Sequence, residues 1–124
     1  MNIRSVIIPI SMKDKIYTKV IDSDNVSSVF NILQSNNLDL ITLYRNYNQN
    51  YILDAIVNDD IQTFSIVNEY FTIPVSLGII PSNLYGNIIV SATNLNGDYI
   101  DLDPLIIKKD LINNFKFKER FFNL

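Results

Sequence analysis

Turn signals recur at short, regular intervals along this chain, and that spacing restricts the possible folds more than any other feature. Short runs of β-branched and aromatic residues are each followed by a cluster of Asn, Asp, Ser, Gly or Pro, about every 8–12 residues. The chain has 124 residues, which is the size of a single domain. The pattern predicts an all-β, antiparallel sandwich or barrel of roughly seven to nine short strands.

The clearest folding unit runs from Glu69 to Pro104. Its β-branched segment Asn87–Thr93 predicts a strand, and Asn96 followed by Gly97 predicts a tight two-residue hairpin turn. The chain would then return as a strand over Tyr99–Leu102. Upstream, the apolar segment Tyr70–Pro74 predicts another strand that ends at its proline. The other strands that alternation or an apolar run predicts are Arg4–Ile10, Lys15–Ile21, Leu38–Tyr44, Tyr51–Val57 and Ile61–Val67.

One segment, Val26–Leu33, fits two structures. Its apolar residues recur at helical spacing, and Asp24 or Asn25 is a suitable helix cap. The same residues also alternate as a strand would, with Phe30 among the residues of one face. We give the strand a slight preference and keep the helix as the alternative.

The character of the chain changes after Pro104. Leu105–Ile107 is predicted to finish the sheet, which divides the chain into a β-sandwich domain of residues 1–107 and a C-terminal arm of residues 108–124. The arm either forms a short helix capped by Asp110 or extends as a tail. It folds back to close one end of the sandwich, or it docks on a neighbouring subunit. The arm is rich in phenylalanine, at Phe115, Phe117, Phe121 and Phe122.

The composition excludes several kinds of catalysis. The chain has no Cys and no His, so it has no thiol nucleophile, no Cys/His zinc site and no triad that uses histidine. Paired carboxylates remain, at Asp59 and Asp60 and in the group formed by Asp98, Asp101 and Asp103. Aspartates in turns ordinarily bond to nearby backbone N–H groups, and we favour that explanation. We therefore predict no catalytic residue, no metal and no cofactor.

Charge and hydropathy indicate which partners the chain lacks. The net charge is −3, which argues against nucleic acid as the main ligand. The apolar run Val6–Ile10 is too short for a signal peptide, and no apolar run reaches the length of a membrane span. We expect no nucleic-acid partner, no membrane partner and no export signal, with a cytoplasmic location as the default.

The loop Tyr44–Tyr51 alternates tyrosines with amide side chains, a composition suited to contact with proteins or sugars. Together with the aromatic residues of the arm it forms our candidate interface. The candidate residues are Tyr44, Tyr47, Tyr51, Phe115, Phe117, Phe121 and Phe122.

The segment Phe71–Ile107 is similar to the end of the immunoglobulin-like domain of phage baseplate upper proteins and related tail or fibre proteins. In that family a strand leads through a short proline turn into a Tyr-x-Gly step, another strand, a polar hairpin and a closing Asp-Pro. The matching pieces here are Ile73-Pro74, Pro81-Ser82-Asn83-Leu84, Tyr85-Gly86, Asn96-Gly97-Asp98 and Asp103-Pro104.

The resemblance implies an immunoglobulin-like β-sandwich and a non-enzymatic virion component of the tail, the baseplate or the head surface. Its partners would be other phage structural proteins, in a homo-oligomer or a multi-copy assembly. Two alternatives stay open. One is a small inhibitor that binds a host enzyme, and the other is a carbohydrate-binding module that uses Tyr44, Tyr47, Tyr51 and the loop Asp98–Asp103.

Overall fold

A computed structural model describes residues 1–34, 37–59, 66–72 and 84–124. Within these residues, short 3-10 helices lie at Glu69–Thr72 and Glu119–Phe121. The α-helices are α1 (Val26–Leu33) and α2 (Pro104–Phe115). The strands are β1 (Asn2–Ile8), β2 (Ile16–Asp22), β3 (Leu38–Asn46), β4 (Tyr51–Asn58), β5 (Ile88–Thr93), β6 (Tyr99–Ile100) and β7 (Phe122–Asn123).

The described strands form one mixed sheet in the order β3-β4-β5-β1-β2-β7, with β6 also paired to β5. Every pairing between these strands is antiparallel except that of β2 with β7, which is parallel. The predicted β-rich fold is therefore confirmed. In the described part of the chain, however, helices lie against both faces of this sheet, and no second sheet is seen there.

The two faces of the sheet carry cores of different size. The larger core lies on the face covered by α2, where Leu53 and Val90 pack with Ile107, Leu111 and other buried residues. The smaller core lies on the opposite face, where Leu33 of α1 packs with sheet residues such as Ile56 and Ile89. All six residues of β5 are buried, because this central strand is covered on both sides.

Residues 26–33 form a helix, so the slight preference for a strand was wrong. Leu33 is fully buried, and Val29 and Ile32 pack against the same small core at helical spacing. Gln34 ends the helix in a left-handed conformation, with φ of 56°. Burial of one helical face decided a segment whose local pattern was ambiguous.

The segment after Asp103 also differs from the prediction. Leu105–Ile107 lies within α2, which crosses the boundary predicted between residues 107 and 108. The helix is capped by Asp103, whose carboxylate accepts a hydrogen bond of 3.0 Å from the backbone N–H of Leu105. Pro104 follows as the first helical residue, where its missing N–H costs nothing. The predicted cap, Asp110, lies inside the helix and is buried.

The hairpin of the central folding unit is confirmed, with a longer loop than predicted. The backbone N–H of Asn94 bonds to the carbonyl of Asp98 at 2.8 Å, which leaves three residues in the loop. The side chain of Asn94 accepts bonds from the N–H groups of Asn96 and Asp98. Gly97 has φ of +89°, as the left-handed position of a three-residue hairpin loop requires.

The strand predicted over Tyr70–Pro74 is wrong where the structure describes it, because Glu69–Thr72 is a 3-10 helix. The rest of that segment lies outside the described residues, as does most of the strand predicted over Ile61–Val67. At the end of the latter, Val67 forms an isolated antiparallel bridge with Tyr85.

Candidate functional site

The three tyrosines of the candidate interface do not share one surface. Tyr47 is 64% exposed at the tip of the β3–β4 loop, whereas Tyr51 is 3% exposed and belongs to the larger core. Tyr44 is half-buried and packs against the same core. A sugar platform built from all three rings therefore does not exist in this conformation.

Tyr51 instead forms a buried polar link to α2. Its hydroxyl donates a hydrogen bond to the carboxylate of Asp110 and accepts one of 3.3 Å from the side chain of Asn46. Burial, followed by the neighbouring carboxylate, raises the pKa of Tyr51 to about 12. Burial also raises the pKa of Asp110, although the bond from Tyr51 acts in the opposite direction. This pair joins β4 to α2, and it was missed from the sequence.

The four phenylalanines of the arm are all buried, with exposures between 1% and 8%. Phe117 lies at the centre, with ring contacts to Tyr70 and Phe71 at 5.9 and 5.4 Å between centroids. It also contacts Phe115 at 6.5 Å and Phe122 at 6.4 Å. The arm thus folds back onto the sheet, which was one of the two predicted alternatives. Among the seven candidate interface residues, Tyr47 is the one that is largely exposed.

The aspartates with possible chemistry have separate structural roles. Asp101 accepts hydrogen bonds from the backbone N–H and the Nε of Arg4, at 2.8 and 3.1 Å. Asp103 caps α2, and Asp98 closes the hairpin loop. Within the described ranges, no group of three or more acidic side chains is arranged to hold a metal ion. Asp59 is exposed, and its neighbour Asp60 lies outside these ranges.

An open groove lies on the face of the sheet that α1 covers in part, and we call it the α1-face groove. It has a volume of about 390 Å³. Leu40 of β3 is 56% exposed in it, which is high for a leucine on a sheet. The lining residues are Ser23, Val29, Leu38, Asp39, Leu40, Ile56 and Tyr99.

Next to Ile56, the face of the sheet that α1 covers in part carries a row of polar side chains. Thr42 and Thr93 each donate a hydrogen bond of 3.2 Å to the carboxylate of Asp54. The hydroxyls of Ser5 and Ser91 bond to each other at 2.9 Å and are buried. Because each of these groups already has a partner, the row stabilises the sheet and offers no activated nucleophile.

Strand β3 forms one edge of the described sheet, and its nine residues carry charge near both ends. Asp39 lies near its start and Arg45 near its end. Neither side chain forms an ion pair in the part of the chain that the structure describes. Arg45 interacts with Tyr47, and this contact raises the pKa of the guanidinium. This edge adjoins the α1-face groove, in which Leu40 is exposed.

Comparison with known proteins adds no relative. No protein-family model matches the chain, and neither a curated protein nor a solved structure matches it. Neither α-helix in the described part of the chain has the length and apolar character needed to cross a membrane.

Proposed function

We propose that this chain is a non-enzymatic structural protein of a bacteriophage particle that acts by docking to other protein chains. The resemblance of Phe71–Ile107 to domains of baseplate upper proteins supports a place for this chain in the phage particle. That place would be in the tail, in the baseplate or in a component attached to the head. The absence of His and Cys supports a role without catalysis. The edge strand β3 supports docking, and it is the observation that carries the proposal.

An edge strand presents backbone donors and acceptors to solvent, so it is a template for pairing with another chain. Natural edges are usually short, or blocked by a charge, a proline or a β-bulge. The first half of β3, Leu38–Thr42, pairs regularly with β4, and a bulge at Leu43 interrupts the register after it. Leu40–Thr42 holds no charge and no proline, and Leu40 is exposed. The regular half of this edge is therefore suited to strand addition.

The occupant that we propose is a second copy of the same chain. Two β3 strands that pair antiparallel over Leu38–Thr42, about a twofold axis at Leu40, place the exposed Leu40 of each copy beside that of the other. Each leucine side chain would then be shielded from water, and full burial of a leucine contributes about 1.5–3 kcal/mol.

Charge at the twofold axis tests this arrangement. The variants L40K and L40E each place two like charges beside each other, in the position of the two leucines. We expect the dissociation constant of the homodimer to rise roughly tenfold or more for either variant. An equimolar mixture of the two should form a heterodimer, because a lysine then lies beside a glutamate. Sedimentation velocity and native mass measurement would follow these species.

The fold of L40K and one control variant separate assembly from folding. Leu40→Lys places a charge on an already exposed side chain, so the circular dichroism spectrum should not change while dimerisation is lost. Lys19→Asp alters an exposed charge on β2, away from the β3 edge, and should leave the dimer intact. A wild-type chain that stays monomeric at high concentration would contradict the self-pairing.

Whether the chain is part of a phage particle requires a separate measurement. Mass spectrometry of purified phage particles should detect the chain in many copies, and its absence would refute the virion role. The immunoglobulin-like assignment belongs to the same proposal, and the β5–β6 hairpin supports it. An experimental structure of the whole chain that shows a second sheet layer would favour that assignment. A structure with a single sheet would rule it out.

A further inference from the structure

A second concave region lies where the β1–β2 loop meets the 3-10 helix of Glu69–Thr72 and the C-terminal arm. We call it the basic pocket. Its volume is about 470 Å³, within the range of small-molecule sites. The lining residues are Met12, Lys13, Lys15, Tyr70, Arg120 and Phe121.

Half of the lining residues are cationic, although the chain as a whole has a net charge of −3. Lys13, Lys15 and Arg120 form no ion pair with any carboxylate of the described residues. By contrast, Lys108 pairs with Glu119, whose neighbour in the sequence is Arg120. These three exposed cations line one cavity without a carboxylate partner, so an anion bound there would meet more than one of them.

Two acidic residues near Tyr70, Asp14 and Glu69, do not line the pocket. Asp14 and Glu69 both contribute to the raised pKa of Tyr70, after the larger effect of burial, so their charges are near its hydroxyl. Asp14 uses its backbone carbonyl to accept the hydrogen bond of Tyr70. The cavity surface itself therefore presents cations and apolar groups.

The walls of the pocket are held by hydrogen bonds and ring contacts. The Tyr70 hydroxyl bonds to the loop at Asp14, and the N–H of Glu69 bonds to the carbonyl of Ile10 at 2.9 Å. The rings of Tyr70 and Phe121 meet edge to face at 5.3 Å between centroids. The Arg120 guanidinium lies 5.4 Å from the centre of the Phe121 ring, which orients it. Three segments distant in sequence are thus fixed around one cavity.

We propose that the basic pocket binds a phosphate-bearing small molecule with an apolar or flat ring portion. Lysine and arginine side chains are the usual partners of phosphate oxygens, and three of them suit a group with more than one negative charge. Met12 and Phe121 provide the apolar surface that the remainder of such a molecule would contact. This site is separate from the β3 edge and does not rest on the assembly proposed above.

Isothermal titration calorimetry with the full chain tests the site, using ATP, inorganic phosphate and adenosine as probes. We expect ATP to bind more tightly than inorganic phosphate, and adenosine to bind weakest, because both the anion and the ring contribute. Binding of ATP should weaken as salt is added. The variants K13Q, K15Q and R120Q should each weaken it by about tenfold, the effect of losing one charged hydrogen bond.

Lys19→Gln is the matched control, because it removes an equally exposed positive charge that does not line the pocket. It should leave ATP affinity within about twofold of wild type. If K19Q weakened ATP binding as much as the pocket variants do, the loss of affinity would come from the overall charge of the protein. That result would overturn the proposed site. Equal affinity for inorganic phosphate and ATP would overturn the apolar contact, and no heat at millimolar ATP would overturn the whole proposal.

Discussion

The buried bond between Tyr51 and Asp110 leads to a quantitative prediction. Tyr51 is on β4 and Asp110 is on α2, so the pair joins the sheet to the helix that covers the larger core. Two variants dissect it. Tyr51→Phe removes the donor and leaves the buried carboxyl, whereas Asp110→Asn keeps an acceptor for the Tyr51 hydroxyl and removes the titratable group.

The two changes should have very different costs. Tyr51→Phe should lower the free energy of unfolding by about 1.5–3 kcal/mol near neutral pH, the usual contribution of a hydrogen bond to a charged group. Asp110 is 8% exposed, so little water can replace the lost donor. Asp110→Asn should be neutral or slightly stabilising at the same pH, because it removes the cost of burying a charge.

The pH dependence of the free energy of unfolding tests whether the pKa of Asp110 is raised in the folded protein. Because burial raises the pKa of Asp110 in the folded state, the native protein binds more protons than the unfolded chain between the two pKa values. Stability must therefore fall as pH rises through that window, by up to about 1.4 kcal/mol per pH unit for one proton. The carboxyls of Asp22 and Asp101 have lowered pKa values and act with the opposite sign. The difference between wild type and D110N isolates the contribution of Asp110.

Equilibrium urea unfolding, followed by circular dichroism from about pH 4 to 8, measures this difference. The stability of wild type relative to D110N should decrease with rising pH and then level off. A difference that does not change with pH would refute the raised pKa. A loss below about 0.5 kcal/mol in Y51F would refute the contribution of the hydrogen bond.

Three further predictions concern the core, the hairpin and the surface. Phe117→Ala should cost about 3–5 kcal/mol in urea unfolding because its ring is buried among other aromatic rings, whereas Tyr47→Ala on the exposed loop should cost almost nothing. Gly97→Ala should lower the free energy of unfolding by about 1 kcal/mol through its positive φ, since the space around it is open, and an equal stability would contradict that backbone argument. Arg4→Ala and Asp101→Ala should leave the urea midpoint nearly unchanged, because their ion pair is exposed to solvent, and a large shift in either would show that the pair is more important than its exposure indicates.

The hairpin shows how much of a structure local sequence can predict. A glycine in a polar stretch between two apolar runs is a strong signal, and the strands on both sides of it pair as predicted. The loop is one residue longer because the side chain of Asn94 bonds to two backbone N–H groups within it. That role depends on side-chain geometry that the spacing of residues does not reveal.

The residues at the start of α2 carry a helix signal, although we predicted the end of the sheet at this point. Asp103 followed by Pro104 is a standard helix start, with a capping carboxylate and a proline that needs no N–H partner. The apolar residues after it, Leu105–Ile107, which we predicted to finish the sheet, belong to this helix. The burial of Asp110 within this helix could not be read from the sequence, because it depends on the packing of α2 against β4.

The amino-acid sequence by itself determined the β-rich character of this chain, the position of its main hairpin and the absence of His and Cys chemistry. These properties follow from residue type and from spacing over a few positions. The tertiary structure decided that Val26–Leu33 is a helix and that the aromatic arm folds back. It also brought Tyr51 to Asp110 and placed three cations around one pocket. Each of these depends on which distant surfaces are buried together, and burial is a property of the whole fold.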